Sequence, residues 1–225
     1  PNQLGACLMS TAQTETTHSR TDINTSIIAR QLHTANQRLH ADCQQCELAT
    51  MCDDKHLNPD LIHIKRGEHI FRHDDQATNL YSIRQGAVKI SRSRLAGEEQ
   101  ILAFYFSGNV FGFDGLTNKQ RKNHAIALED CTLCRKPLLP YTSDKNTANT
   151  FSKILKLQNQ DTLKFQEHII LVNSSSASTR VAAFLLDVAS HYLSKHSNTI
   201  IFPLPMCRYD IASHLGLTQE TISRR

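Results

Sequence analysis

Cys43, Cys46 and Cys52 fall within one ten-residue run, Cys43-Gln44-Gln45-Cys46-Glu47-Leu48-Ala49-Thr50-Met51-Cys52. Two residues separate the first pair and five the second. That is too compact for three independent core thiols or for a disulfide framework. Thiolates are soft ligands of zinc and of iron–sulfur clusters, and this spacing lets one loop wrap a single centre. A [4Fe–4S] cluster takes four thiolates, so a fourth must come from elsewhere. Cys131 and Cys134, in Cys131-Thr132-Leu133-Cys134, are the candidates. No second cysteine or histidine pair at zinc spacing lies near the run, which favours a cluster over zinc. Cys7 and Cys207 stand alone.

The elements that must position these thiols are legible in outline. With 225 residues the chain is long enough for more than one domain. No apolar run reaches transmembrane length and no secretory signal is evident, so an odd cysteine count points to a reducing cytoplasm. A formal net charge of +4 permits a nucleic-acid partner without requiring one. The chain begins at Pro1 without methionine and stops at Arg225 inside a helical pattern, which reads as a fragment. Residues 1–41, rich in Thr, Ser, Gln and Asn, are expected to form a flexible polar tail with at most a weak helix around Ile27–Leu39.

From Ile62 to about Lys136 short alternating segments are separated by glycine turns. They include Glu68–Arg72, Leu80–Arg84, Ala87–Ser91, Gln100–Phe106 and Ala125–Leu128, with turns at Gly67, Gly86, Gly97, Gly108 and Phe113-Asp114-Gly115. Such spacing predicts an antiparallel β-sandwich or roll. Helical periodicity follows. Leu155, Thr162 and Ile169, with Gln158, Phe165 and Val172, fall on a and d positions of a heptad, a seam able to pair with its own copy. The polar stretch from Asn173 to Thr179 is a hinge with N-capping residues. Beyond it Val181, Phe184, Leu185, Val188 and Tyr192 line one helix face.

The segment from Arg208 to Arg224 reads as helix, turn at Gly216, then helix. Ile211, Leu215, Leu217 and Ile222 are its buried set, and Thr218 is a good N-cap. Gln219, Glu220, Ser223 and Arg224 then share the outer face of the second helix. In a major groove arginine can bond guanine and glutamate can accept from cytosine, so this face suits DNA.

Three stretches, in order, carry a resemblance to the Fnr-type oxygen-sensing regulators of the Crp/Fnr superfamily. They are the cysteine run, the β-roll pattern of Leu80–Lys89 with Gly97-Glu98-Glu99 and Gly112-Phe113-Asp114, and Leu215-Gly216-Leu217-Thr218-Gln219-Glu220-Thr221-Ile222-Ser223-Arg224. The resemblance implies an α+β protein with a cyclic-nucleotide-binding-like antiparallel β-roll sensor, a long dimerisation helix and a C-terminal winged helix-turn-helix, truncated here. The implied divisions are a tail over 1–41, an iron–sulfur-binding sensor over 42–143, a dimerisation helix over 144–172 and an incomplete DNA-binding domain over 173–225. A [4Fe–4S] cluster on Cys43, Cys46, Cys52 and Cys134 is implied, with Cys134 in the family's slot after Ala127-Leu128-Glu129. Cys131 is the lesser candidate, because on a strand the two cysteines point to opposite faces. A dimer using Leu155, Thr162, Phe165 and Ile169, base reading by Glu220, Ser223 and Arg224 with Gln219 beside them, inverted TTGAT-type half-sites and contact with RNA polymerase are further implications. The family's cyclic-nucleotide receptors carry a glutamate and an arginine for ribose and phosphate. Here Gly112-Phe113-Asp114 and Asn123-His124-Ala125 stand at those places, so no cyclic nucleotide is expected.

No nucleophile–base constellation and no phosphate-binding glycine loop point to an enzyme. The alternative from another class is a structural zinc-binding protein whose helical end makes only protein contacts.

Overall fold

The computed structural model describes residues 60–94, 97–116, 119–137, 147–174, 176–192 and 202–224. Cys43, Cys46, Cys52, Cys7 and the stretch read as a polar tail lie outside the described residues.

Eight strands form first: β1 (Leu61–Ile64), β2 (His69–Phe71), β3 (Asn79–Gln85), β4 (Ala87–Ser93), β5 (Glu99–Phe106), β6 (Val110–Phe111), β7 (His124–Ala127) and β8 (Cys131–Pro137). They make two four-stranded antiparallel sheets, ordered β1-β8-β3-β6 and β2-β7-β4-β5. Period-two alternation sends Tyr81, Ile83, Phe111, Cys131 and Leu133 of the first sheet inward. There they meet Phe71, Val88, Ile90, Tyr105, Ala125 and Ala127 of the second in one core. The opposite face of the first sheet carries Leu80 and Val110, which pack with Phe113 against Ile154 and Leu157 of helix α1 (Thr147–Ser174). Apolar residues on both faces of β3 are therefore explained: one set closes the roll and the other seats the helix.

Two more features differ from the sequence expectation. Residues 113–115, read as a turn, form a single 3₁₀ turn, and β6 between two glycines is only two residues long. Period-two alternation cannot reveal a strand that short.

Helix α1 ends at the polar hinge. Ser176 starts helix α2 (Ala177–Tyr192), its Oγ accepting from Thr179 N at 3.2 Å. Phe184 and Val188 of α2 are buried with Ala87, Phe106, Leu128, Met206, Ile211 and Leu215. Helix α3 (Arg208–Leu215) stops at Gly216, whose φ of 62° is the left-handed cap that terminates helices. Helix α4 (Gln219–Ser223) begins at Thr218, whose side chain accepts from Thr221 N. Leu217 and Ile222 pack partly buried on the same cluster as Ile211 and Leu215. Among the described residues no helix is long and apolar enough to cross a membrane.

Candidate functional site

Cys131 and Cys134 occupy one strand but different environments. Cys131 is buried in the roll core, its Sγ donating to Ala87 O at 3.4 Å and Glu129 O at 3.2 Å. Burial pushes its thiol up to about 11. The thiol also lies beneath the Gly86 turn: φ there is +101°, and a Cβ on Gly86 would stand 2.5 Å from the sulfur. Glycine is required at that turn both by the backbone angle and by the sulfur below it. Cys134 is just as buried, at 4% exposure, yet belongs to none of the three described core clusters. It pairs with Leu61 on one side and Ser82 on the other, on the sheet face that also carries Leu80. Neither residue is disulfide-bonded. Cys131 is a roll-core thiol held protonated, whereas Cys134 is buried on the opposite face of the first sheet.

Cys207, which stands alone in the sequence, is instead disulfide-bonded. Sequence spacing carries no information about contacts of this kind, which depend on Cα separation in the fold. Among the described residues no group of three or more His, Cys, Asp or Glu is arranged to hold a metal ion. The neighbouring imidazoles of His69, His73 and His124 are included in that statement, although the His69 and His124 rings lie 5.8 Å apart. The other three cysteines proposed as ligands lie outside the described residues.

Asp114 and Arg121 lie at the Gly112-Phe113-Asp114 and Asn123-His124-Ala125 stretches. Arg121 is 1% exposed and covers the Phe71 ring at 4.1 Å. Its Nη1 donates to Gly112 O at 2.5 Å and to Asp114 Oδ1 at 3.2 Å, and its Nη2 donates to Asn79 O. Asp114 also accepts from the backbone N–H groups of Lys122 and Asn123. The guanidinium is therefore committed to the protein's own carbonyls and carboxylate. Sequence reading missed this residue, because a core arginine leaves no periodic signal.

The seam residues of α1 divide into two groups. Leu155, Thr162 and Ile169 are exposed, Leu155 at 52% and Ile169 at 59%, and Phe151 joins them at 61%. Phe165, at 38%, lies at the edge of that stripe and also lines a cavity of about 360 Å³ between β5 and helices α1, α2 and α3. His168 of α1 and His214 of α3 stack across this cavity, with ring centroids 4.1 Å apart. His168 Nε2 donates to His214 O at 3.0 Å. Burial, and then the neighbouring His168, lower the His214 pKa to about 3, and burial lowers that of His168. His214 Nδ1 has no hydrogen-bond partner.

On α4 the residues Gln219, Glu220, Ser223 and Arg224 are all exposed. Arg224 Nη2 is paired with Glu220 Oε1 one turn away, so both side chains sit on the outer face. The short helix rests on α3 through Leu217 and Ile222, leaving the polar face outward.

A two-sheet roll, a long helix with an exposed apolar stripe and a terminal helix-turn-helix define a class of DNA-binding transcription regulator. Residues 61–138 match the cyclic nucleotide-binding domain family, and residues 179–225 match the Crp-like helix-turn-helix domain. The chain is 33% identical over 197 residues to electron transport regulator A of Shewanella oneidensis, covering 81% of this chain and 78% of that one. It is 31% identical over 211 residues to the fumarate and nitrate reduction regulatory protein of Vibrio cholerae, covering 87% and 82%. The solved structure of FixK2 from Bradyrhizobium japonicum superposes with a TM-score of 0.66 at 27% identity, over 75% of this chain and 82% of that one. The chain belongs to the Crp/Fnr family, as a regulator of the Fnr type, and is not an enzyme. A purely structural zinc-binding protein with no DNA role is not favoured by these matches.

Proposed function

We infer that this protein is an oxygen-responsive regulator of anaerobic gene expression, acting as a homodimer on DNA. The observation that carries the reading is the separation of the two β8 cysteines onto opposite sheet faces, with Cys131 facing the roll core and Cys134 facing away from it. In this reading Cys43, Cys46, Cys52 and Cys134 hold a [4Fe–4S] cluster. A thiolate donor set fits such a group, and Cys131, committed to two carbonyls in the core, does not. The cluster when bound supplies the oxygen-reactive centre. The names of the similar proteins, among them regulators of electron transport and of fumarate and nitrate reduction, support the anaerobic role. Residues 42–143 would form the sensor, 144–172 the dimerisation helix and 173–225 the DNA-binding domain, acting in the cytoplasm and contacting RNA polymerase as the family does. No cyclic nucleotide is proposed as an effector, because Asn123-His124-Ala125 offers no arginine for a phosphate and the nearby Arg121 already pairs with Asp114.

Anaerobic purification followed by metal and sulfide analysis tests the central claim. A brown protein with iron and acid-labile sulfide supports it, and a colourless protein with zinc overturns it.

The apolar stripe of α1 supports pairing of two copies. Burying two isoleucines and two leucines, one of each per chain, would contribute several kcal/mol, roughly 1.5–3 per side chain, before the costs of association. Ile169→Asp is expected to shift the protein to monomer in sedimentation, and Phe165→Asp, at the edge of the stripe, to do so less. An unchanged dimer fraction in Ile169→Asp would remove this face from the interface.

The outer face of α4 supports base reading by Glu220, Ser223 and Arg224 with Gln219 beside them, on inverted TTGAT-type half-sites. Arg224→Ala is expected to cost about 1–3 kcal/mol of binding to the specific site in an anaerobic gel-shift series, and little on random DNA. Equal loss on both would reassign Arg224 to phosphate contact.

A further inference from the structure

Helix α3 is held against the β4–β5 hairpin by a small polar lock. Lys89 of β4, 12% exposed at its side chain, donates from Nζ to Asp210 Oδ1 at 2.8 Å and to Glu99 Oε2 at 3.0 Å. Asp210, in the first turn of α3, has a side chain only 3% exposed. Beside it Ser213 Oγ accepts from Ile101 N at 3.0 Å and donates to Glu99 O at 3.1 Å. Gln100 Nε2 donates to Ser213 O at 2.6 Å. One cation thus stands between two carboxylates belonging to the roll and to the DNA-binding helices.

Removing that cation leaves Asp210 buried and facing Glu99, a like-charge pair in a poorly hydrated seam, which is strongly unfavourable. Geometry outside this seam is different in kind. The remaining contacts of α3 with the body are apolar packing and single hydrogen bonds such as Arg180 Nη1 to Leu215 O, which tolerate sliding better than a buried charge does. The orientation of α4 follows that of α3, because Leu217 N donates to Ala212 O and Gly216 closes the turn between them. A dimer that reads two half-sites can discriminate their spacing only if each helix pair is fixed to its own body.

We propose that Lys89 is a positioning residue for DNA recognition: by pairing with Asp210 and Glu99 it fixes the helix-turn-helix on the sensor roll, and so sets which half-site spacing the dimer accepts. This inference rests on the DNA-binding reading given above. The pair also ties the β4–β5 hairpin of the sensor directly to the reading head, so a shift of that hairpin moves α3.

The test uses the full chain purified anaerobically, as wild type, Lys89→Gln, Lys89→Glu and the exchange Lys89→Glu with Asp210→Lys. Two readouts are taken. Hydrogen exchange at the Ile101 amide, which is bonded to Ser213, reports docking without DNA. Binding to inverted repeats with the natural spacer and with spacers altered by two base pairs, alongside a single half-site, reports spacing discrimination. In Lys89→Gln the Ile101 amide is expected to exchange about tenfold faster, the scale of one coupled pair, and the preference for the natural spacer to fall by a similar factor. Half-site binding is expected to be unchanged, and the exchanged pair to restore both properties. Merely structural damage would weaken half-site and full-site binding alike and leave the spacer preference intact, which would overturn the proposal. Unchanged Ile101 exchange in both single variants would overturn it too. If wild type binds none of these DNAs, the DNA-binding reading fails, and the exchange readout still decides whether Lys89 holds the docked position.

Discussion

Cys134→Ala is expected to purify colourless under anaerobic conditions, with no visible chromophore and no iron or acid-labile sulfide. Cys131→Ala is expected to keep all three. The difference follows from what surrounds each sulfur. Cys131 is a core group, its thiol donating to Ala87 O and Glu129 O and its ionisation pushed up to about 11 by burial. Deleting one heavy atom there costs packing, about 1 kcal/mol, and should appear as a lower melting temperature. Cys134, equally buried, sits between Leu61 and Ser82 on the other sheet face, away from the roll core that holds Cys131. Alanine at Cys43, Cys46 or Cys52 should behave as Cys134→Ala does. A colourless Cys131→Ala beside a brown Cys134→Ala would exchange the two assignments. Cys207→Ala is expected to keep the chromophore, since Cys207 is not among the four thiols assigned to the cluster.

Acidification is expected to loosen the junction between α1 and α3. His214 has a folded-state pKa lowered to about 3 by burial and by His168, against an ordinary value of 6.5. The unfolded chain therefore binds a proton that the folded one does not. The stabilisation is complete above about pH 6.5 and is lost as pH falls toward 3. Between pH 7 and pH 5 this single group costs about 2 kcal/mol, and His168, lowered in the same direction, adds to it. Asp161, Glu167, Asp187 and Lys164 line the same cavity. Chemical denaturation at pH 7 and pH 5 should show the loss in wild type and a much flatter dependence in His214→Gln. An identical pH dependence in the two proteins would show that this histidine is hydrated in solution.

What was legible in the sequence is what local chemistry encodes. Glycines at positive φ marked the turns at Gly67, Gly86, Gly97 and Gly108, and the strands between them were found within a residue or two. The hinge at Asn173–Thr179 announced itself through capping residues, and the helix, turn, helix at the C-terminal end through Gly216 and Thr218. The pairings that build the site were not legible. β1 lies against β8 and β6 against β3 across long stretches of chain, and no local pattern specifies such partners. Lys89 meets Asp210 across 121 positions, and His168 meets His214 across 46. Each looks like an ordinary surface residue until the fold brings it to its partner. Arg121, 1% exposed, gives no local signal either, because nothing in the neighbouring sequence encodes its enclosure.

The docking of α3 has one more consequence, concerning solubility rather than recognition. β5 is the outermost strand of its sheet, and a strand edge with unsatisfied N–H and C=O groups invites pairing with another chain. Ser213 takes the Ile101 amide and gives its proton to the Glu99 carbonyl, so the reading head itself caps that border. Displacing the head would bare that border. The undocked form is therefore the one prone to self-association through strand addition, and storage conditions that keep α3 seated should also keep the protein in solution.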